Sequence, residues 1–420
     1  MSLCKPPPLF TIIIVNKGGG FLFFNEIKLL VKNKSTLILS ILTIAMSIIF
    51  CYFYLMDYST VIYHENNSSE IFYGLKAYEK QKIVEENRKY KFLDNNLIEE
   101  LTDNIVELNK QEKDEDKEQF YRKLSPYSQG EYLIEKLNMD SEGDLFNTER
   151  ENNKFYDVRK KVLNKKISNL SPEKQRLFES LNDNVKVPFK YGEMNGWPQM
   201  LSNLSMLGLL IISVLGIASS SNFSKLYENE SYEIIVSTKN GRKKMVRSKI
   251  FAHLLWNLAI GIICIILYLS LSFKYISFSG GESSIQMIGL YSPYNLTLIN
   301  VLKISIGFII IGIISATILA NFISIRSKNS VISIGIYLLF LLVHIVQSYY
   351  LKDINVEIVK AIRSILSFLP MSSADIYYEL LGFKAFKLMN IVVPFHYVKI
   401  WMYFIESLVL FVLCERNINK

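Results

Sequence analysis

Cysteine and histidine are scarce: the 420-residue chain has four of each. Cys4, Cys51, Cys264 and Cys414 all lie outside residues 58–196, so that segment has no disulfide framework and must fold on its core alone. The histidines are scattered. His64-Glu65 lacks the second His of HExxH, and His253, His344 and His396 stand on different apolar runs or loops, which argues against a metal site. No GxxxxGK followed by Ser or Thr is present, and Gly18-Gly19-Gly20 precedes no strand-to-helix unit, so nothing cradles a nucleotide phosphate. Ser219-Ser220-Ser221 lacks the Gly-x-Ser-x-Gly elbow of a nucleophile, and a helix-end cap with close packing explains these serines better. The chain is therefore expected to have no catalytic centre, metal or cofactor of its own, and no nucleic-acid partner.

What is abundant is apolar surface. Half the residues are hydrophobic and 13% are aromatic, too many for an ordinary soluble enzyme of this length. Runs long enough to cross a bilayer occur at 36–56, 201–220, 251–271, 304–325, 331–351 and 398–414. The first apolar stretch, Leu9 to Val15, is short and no small-residue cleavage site follows it, so the first span is expected to stay in the protein. The net charge of +8 is unevenly spread. Residues 58–196 hold 23 Lys/Arg and 27 Asp/Glu, against 24 and 12 in the remainder.

Basic residues set the orientation. Loop 221–249 carries seven Lys/Arg and loop 272–297 carries one, Lys274, which puts the first loop and both termini inside and residues 58–196 outside. The fold expected is an all-α polytopic membrane protein: six transmembrane helices with a mainly helical extracellular domain between the first and second. Its parts would be a cytoplasmic segment 1–35 with an interfacial helix, a first span 36–57, the extracellular domain 58–196, and a five-span domain 197–420 with a cytoplasmic loop 222–249.

Several local patterns refine this. In 21–34, Phe23, Phe24, Ile27, Leu30 and Val31 share one face and Lys28, Lys32 and Lys34 the other, the pattern of a helix lying on a membrane surface. The stretch from Ile71 to Gln111 repeats apolar residues every three or four, and Ser171-Pro172-Glu173 reads as an N-cap followed by a helix-starting proline. Residues 354–370 are apolar but too short and charged to cross, which suits an outer-leaflet or re-entrant helix. Glu406 falls in mid-span, where a carboxylate is costly and marks a partner or a polar path.

The most unusual stretch is "FSKLYENESYEIIVSTKNGRKKMVRSKI", residues 223–250, with seven Lys/Arg and three Glu between two apolar runs. Ser224 suits an N-cap and Gly241 a helix-ending C′ residue, while Glu228, Glu230 and Glu233 fall in the first half, where a helix dipole favours anions. Arg242, Lys243, Lys244, Arg247 and Lys249 suit anchoring at an anionic inner surface. Anchoring does not account for Ile234-Ile235-Val236 in a wet loop.

This stretch resembles the first cytoplasmic loop of type-2 ABC transporter permeases, the membrane subunits of many bacterial exporters. In that pattern an acidic helix leads to a Ser-Thr-Lys-x-Gly-Arg-Lys-Lys turn, here Ser237, Thr238, Lys239, Gly241, Arg242, Lys243 and Lys244. "FNEIKLLVKNKSTLILSIL" (24–42), "YGEMNGWPQML" (191–201) and "YSPYNLTLINVLKI" (291–304) are similar to the family's approaches to its first, second and fourth spans. Residues 1–20 have no counterpart, and the likeness thins beyond Leu369-Pro370. The resemblance implies an exporter permease in the bacterial cytoplasmic membrane. Such a permease works as a dimer with a second copy or homologue, in contact with membrane lipids, and relies on a separate ATPase. Tyr227, Glu228, Glu233, Ile234, Ile235, Gly241, Arg242, Lys243 and Lys244 would form the loop on which that ATPase docks. The alternative is a sensor or immunity protein that binds a ligand through its extracellular domain without transport.

Overall fold

A helix that crosses a bilayer needs about 20 apolar residues, and among its described residues the computed structural model has six that meet this by length and composition. It describes residues 19–64, 68–86, 88–111, 114–146, 154–230, 241–351, 354, 356–388 and 391–417. The six are Lys34–Met56, Trp197–Ser220, Gly241–Ser272, Leu298–Ser327, Ser330–Tyr349 and Phe395–Asn417, called spans one to six below. Each contains its expected apolar run, apart from a residue or two at the end of span five, and several extend well beyond it. Span three begins at Gly241, about 10 residues before its apolar run.

Spans two and four form the centre. Span four packs against spans two, three, five and six, and buries Val301, Phe308, Ile313 and Ala320 along its length. Glycine allows the closest approaches: a Cβ on Gly216 would meet the Tyr337 hydroxyl at 1.9 Å. Span one is peripheral and two-faced. Asn33 caps it by accepting from the Ser35 N–H. Thr36, Ser40, Thr43, Ser47, Cys51 and Tyr54 recur at helical spacing and are buried. The small size of the first five lets span three come close, and Trp256 donates to Ser40 (3.0 Å) while Tyr54 donates to Ser272 (2.6 Å). Ile38, Ile41 and Ile49 remain exposed on the other side, as suits lipid.

The amphipathic N-terminal segment is helical over Gly19–Lys32, but its apolar face does not all point away from the protein. Leu30 is buried and Glu26 pairs with Lys249 of span three at 3.2 Å, while Phe24 and Val31 stay exposed.

The insertion between spans one and two is mostly helical, and Pro172–Asn182 starts as expected from a Ser171 cap position with Pro172 in the first turn. Its start differs from the sequence reading. Ile71, Phe72 and Tyr73 belong to an antiparallel hairpin pairing Ser59–Tyr63 with Ser69–Tyr73, and the helix begins only at Leu75. Gly74, at φ +59°, makes the break. Val61 faces Ile71 across the hairpin, and β-branched and aromatic side chains suit that pleated surface better than a helix.

The insertion is welded to the bundle. Tyr78, Leu93, Tyr191, Trp197, Tyr268 and Leu290 belong to one continuous apolar core. Gln129 donates to the Met287 carbonyl (2.6 Å), Trp197 Nε1 to the Ser277 carbonyl (2.8 Å), and buried Arg159 to the Leu290 carbonyl (2.9 Å). Burial among neutral partners lowers the Arg159 guanidinium to about 10.

Residues 354–370 contain a short helix, Glu357–Leu366, none of whose side chains is buried, and Ile358, Ile362 and Ile365 are exposed beside Lys360. The chain then turns inward: Met371, Ser372, Ser373 and Ala374 are buried, and this stretch packs on spans two and four.

Candidate functional site

The loop after span two begins with hydroxyls that turn back onto backbone. Ser219 donates to the Leu215 carbonyl and Ser220 to the Ile217 carbonyl (3.0 and 2.8 Å), and Asn257 of span three bridges Ser219 Oγ and Thr317 Oγ1 (2.8 and 2.9 Å). These serines are packing groups, as their sequence context suggests.

A five-residue helix follows, Ser224–Glu228. Phe223, not Ser224, holds its cap position, and Ser224 is fully buried. The Ser224 hydroxyl lies 2.8 Å from both Ser324 of span four and Ser333 of span five. The backbone N–H groups of Phe223 and Ser224 both donate to Ser324 Oγ at 2.9 Å. Phe223 belongs to a small apolar cluster with Met245, Val246, Ile250, Ile325 and Cys414, which joins it to the ends of spans three, four and six.

Glu228 is already engaged. One carboxylate oxygen accepts the Ser330 N–H (2.7 Å) and the other its hydroxyl (2.9 Å). Ser330 is the first residue of span five, so the carboxylate sits where the helix dipole and unpaired N–H groups favour an anion. Asn329 completes the cap by accepting from the Ile332 N–H (3.0 Å). Tyr227 lies beside Lys328, whose Nζ is 5.4 Å from the ring centre.

The expected helix end at Gly241 is corrected. The described chain leaves the short helix at Asn229, with Glu230 at φ +54°, and Gly241 and Arg242 are the first residues of span three. Glu233, Ile234 and Ile235, with the Ser237-Thr238-Lys239 part of the turn, lie outside the described residues. Lys243 and Lys244 are exposed. Arg247 and Lys249 instead pair with protein, Arg247 with Glu415 of span six and Lys249 with Glu26. Anchoring to lipid accounts for only part of the basic stretch.

Against this geometry the comparison with protein families is decisive: the model of the ABC-2 family transporter proteins matches residues 34–414. The chain belongs to the ABC-2 transporter family. No match was found among curated proteins. The protein is a membrane subunit of an ABC transporter, a transport component and not itself an enzyme, and its family implies association with an ABC ATPase.

Two polar sites lie deeper in this permease. Glu406 faces span four, where the Ser315 hydroxyl donates to it at 3.2 Å. A second cluster escaped the sequence reading, which found only Glu406 inside the spans. Lys399 of span six is fully buried, donating to the Ser372 carbonyl (2.9 Å) and pairing with Glu379 (2.8 Å). Beside it, His344 Nδ1 is 3.1 Å from Ser372 Oγ and its Nε2 is 3.8 Å from Asp375. The signal available was a lysine near the start of an apolar helix. Its partners Ser372 and Glu379 are distant in register and meet it only because the chain turns inward after Pro370. Among the described residues no group of three or more His, Cys, Asp or Glu could hold a metal.

Proposed function

We propose that the chain is the permease of a bacterial ABC exporter, with residues 58–196 outside, both termini inside, and a separate ATPase docking on loop 222–249. The orientation is supported by the seven basic residues of loop 221–249 against one in 272–297. The observation that carries the reading is the Glu228 carboxylate on the first turn of span five, beside Ser224 bridging spans four and five. A force on the loop helix reaches two spans through these bonds. The undescribed residues Glu233, Ile234 and Ile235 are assigned to the ATPase contact, an apolar centre flanked by charge. A second copy completes the transport path.

The test is purification of a tagged chain from its own membranes. An ABC ATPase should co-purify, and Glu233→Lys should weaken its retention without altering cysteine accessibility at the loops. Retention of the ATPase unchanged in Glu233→Lys and in Gly241→Val would reduce the stretch to an anchor. Absence of any ATPase would favour a ligand sensor.

A further inference from the structure

Span one ends against electrostatic expectation. A helix C-terminus carries about half a negative charge on its unpaired carbonyls and is stabilised by basic side chains in the last turn. Span one has no basic residue there, and its C-cap residue is another anion, Asp57, whose N–H bonds the Phe53 carbonyl. The Asp57 side chain is exposed, and among the described residues it makes no ion pair or hydrogen bond.

That doubled negative end opens onto a trough of about 790 Å³ between the end of span one and the start of span two. Phe50, Phe53, Tyr54 and Tyr58 supply aromatic walls, and Gln199 and Asn203 of span two face them. The Asn203 amide nitrogen is used by the Gln199 carbonyl of its own helix (2.8 Å), which leaves the Asn203 side-chain oxygen as a further acceptor. Aromatic faces, carbonyl ends and a carboxylate all attract cations, while Met56 adds apolar surface and Ser59 and Gln199 further polar groups. Another open groove, about 530 Å³ beside Phe23 and Phe251 at the far end of the bundle, has Arg247 in its lining, already paired with Glu415.

We propose that the trough beside Asp57 binds a lipophilic organic cation, its charged centre at the Asp57 carboxylate and its apolar body against Phe50, Phe53 and Tyr54. The site deepens the exporter reading by giving the substrate class, and rests on that reading only for its place in transport. Binding itself needs neither the ATPase nor nucleotide.

The experiment uses the full chain in nanodiscs of phosphatidylcholine, with empty discs as background, and two ions of like size and opposite charge, tetraphenylphosphonium and tetraphenylborate. The parent should bind the phosphonium saturably and the borate not at all. Asp57→Asn, nearly isosteric, should weaken phosphonium binding by about tenfold or more, since a unit charge near 4 Å at a protein surface is worth several kcal/mol before screening. Asn203→Trp should obstruct the trough opposite the aromatic walls and weaken binding. Should that variant fail to fold, Phe53→Ala removes an exposed wall and should weaken binding instead. Equal binding of both ions, or parent affinity in Asp57→Asn, overturns the proposal. So does an Asn203→Trp chain that binds the phosphonium as tightly as the parent but no longer forms a dimer, which assigns the trough to a second copy. Intact binding without export in cells would count against the exporter reading and leave the site standing.

Discussion

The two ends of the bundle are held in different ways. At the insertion end, one continuous apolar core runs from the insertion into the spans, and Gln129, Trp197 and Arg159 clasp backbone carbonyls of a single loop, 273–297. At the loop end, the ties are a few hydroxyl bonds around Ser224, the Glu228 cap, one small cluster around Phe223, and ion pairs such as Arg247 with Glu415. A packed core has no intermediate arrangement and resists deformation. Single hydroxyl and ionic contacts each contribute about 1 kcal/mol and can be given up one at a time. Under the proposed function, this difference would make the insertion end the fulcrum and the loop end the place where a partner moves the helices.

Breaking the stiff end should have the largest effect. Arg159→Ala leaves the Leu290 carbonyl without its buried donor and removes the stacking on Phe189, 5.2 Å away. Loss of a buried charged hydrogen bond costs about 3 kcal/mol, so thermal unfolding in detergent should drop by several degrees. An unchanged midpoint would mean that the weld is not a fulcrum.

Acidity should sharpen the same contrast, through groups in the insertion. Burial pushes the Glu85 carboxyl from 4.5 up to about 7, with Arg88 and the Asn195 N–H offsetting part of the shift and Glu193 adding to it. Glu131 is raised to about 7 by burial and by Glu135. Between pH 4.5 and 7 the folded chain therefore keeps protons at Glu85 that the unfolded chain has released, so stability falls as pH rises through that window. The loss from pH 5 to 8 should be about 2–3 kcal/mol from Glu85 alone, read as a falling unfolding midpoint. Glu85→Gln should flatten the slope. A parent whose stability rises over this range contradicts the burial argument.

At the loop end, Glu228→Ala should cost only about 0.5–1 kcal/mol, the worth of an exposed helix cap. Its effect should appear instead as ATP hydrolysis uncoupled from transport in the assembled transporter, with the ATPase still bound. Full coupling in this variant would remove Glu228 from the force path. Smallest of all should be Arg247→Gln. Its side chain is 57% exposed, and exposed pairs contribute little. The unfolding midpoint should not move measurably, and a clear drop would show that the loop end is stiffer than its contacts imply.

Apolar run length alone determined the six long helices, because backbone groups in hydrocarbon must be satisfied within the helix and composition reports that requirement locally. The same holds for the helix start at Pro172, whose fixed φ acts within one turn. The loop motif was legible as a family likeness, and so was its acidic first half. Sequence could not reveal that Glu228 is spent on Ser330, 102 residues away, or that Gly241 opens a helix where it was expected to close one. Helical periodicity likewise missed the hairpin at Ser69–Tyr73, since a short apolar run suits either period until a partner strand is known. Lys399, Glu379, Ser372 and His344 meet only after the chain folds back beyond Pro370. Their pairing depends on contacts between separate helices, and no local pattern encodes which buried charge will find which partner. The position of Asp57 is of both kinds. Sequence placed an acid after an apolar run, and only packing set it at the mouth of a trough with no cation among the described residues to neutralise it.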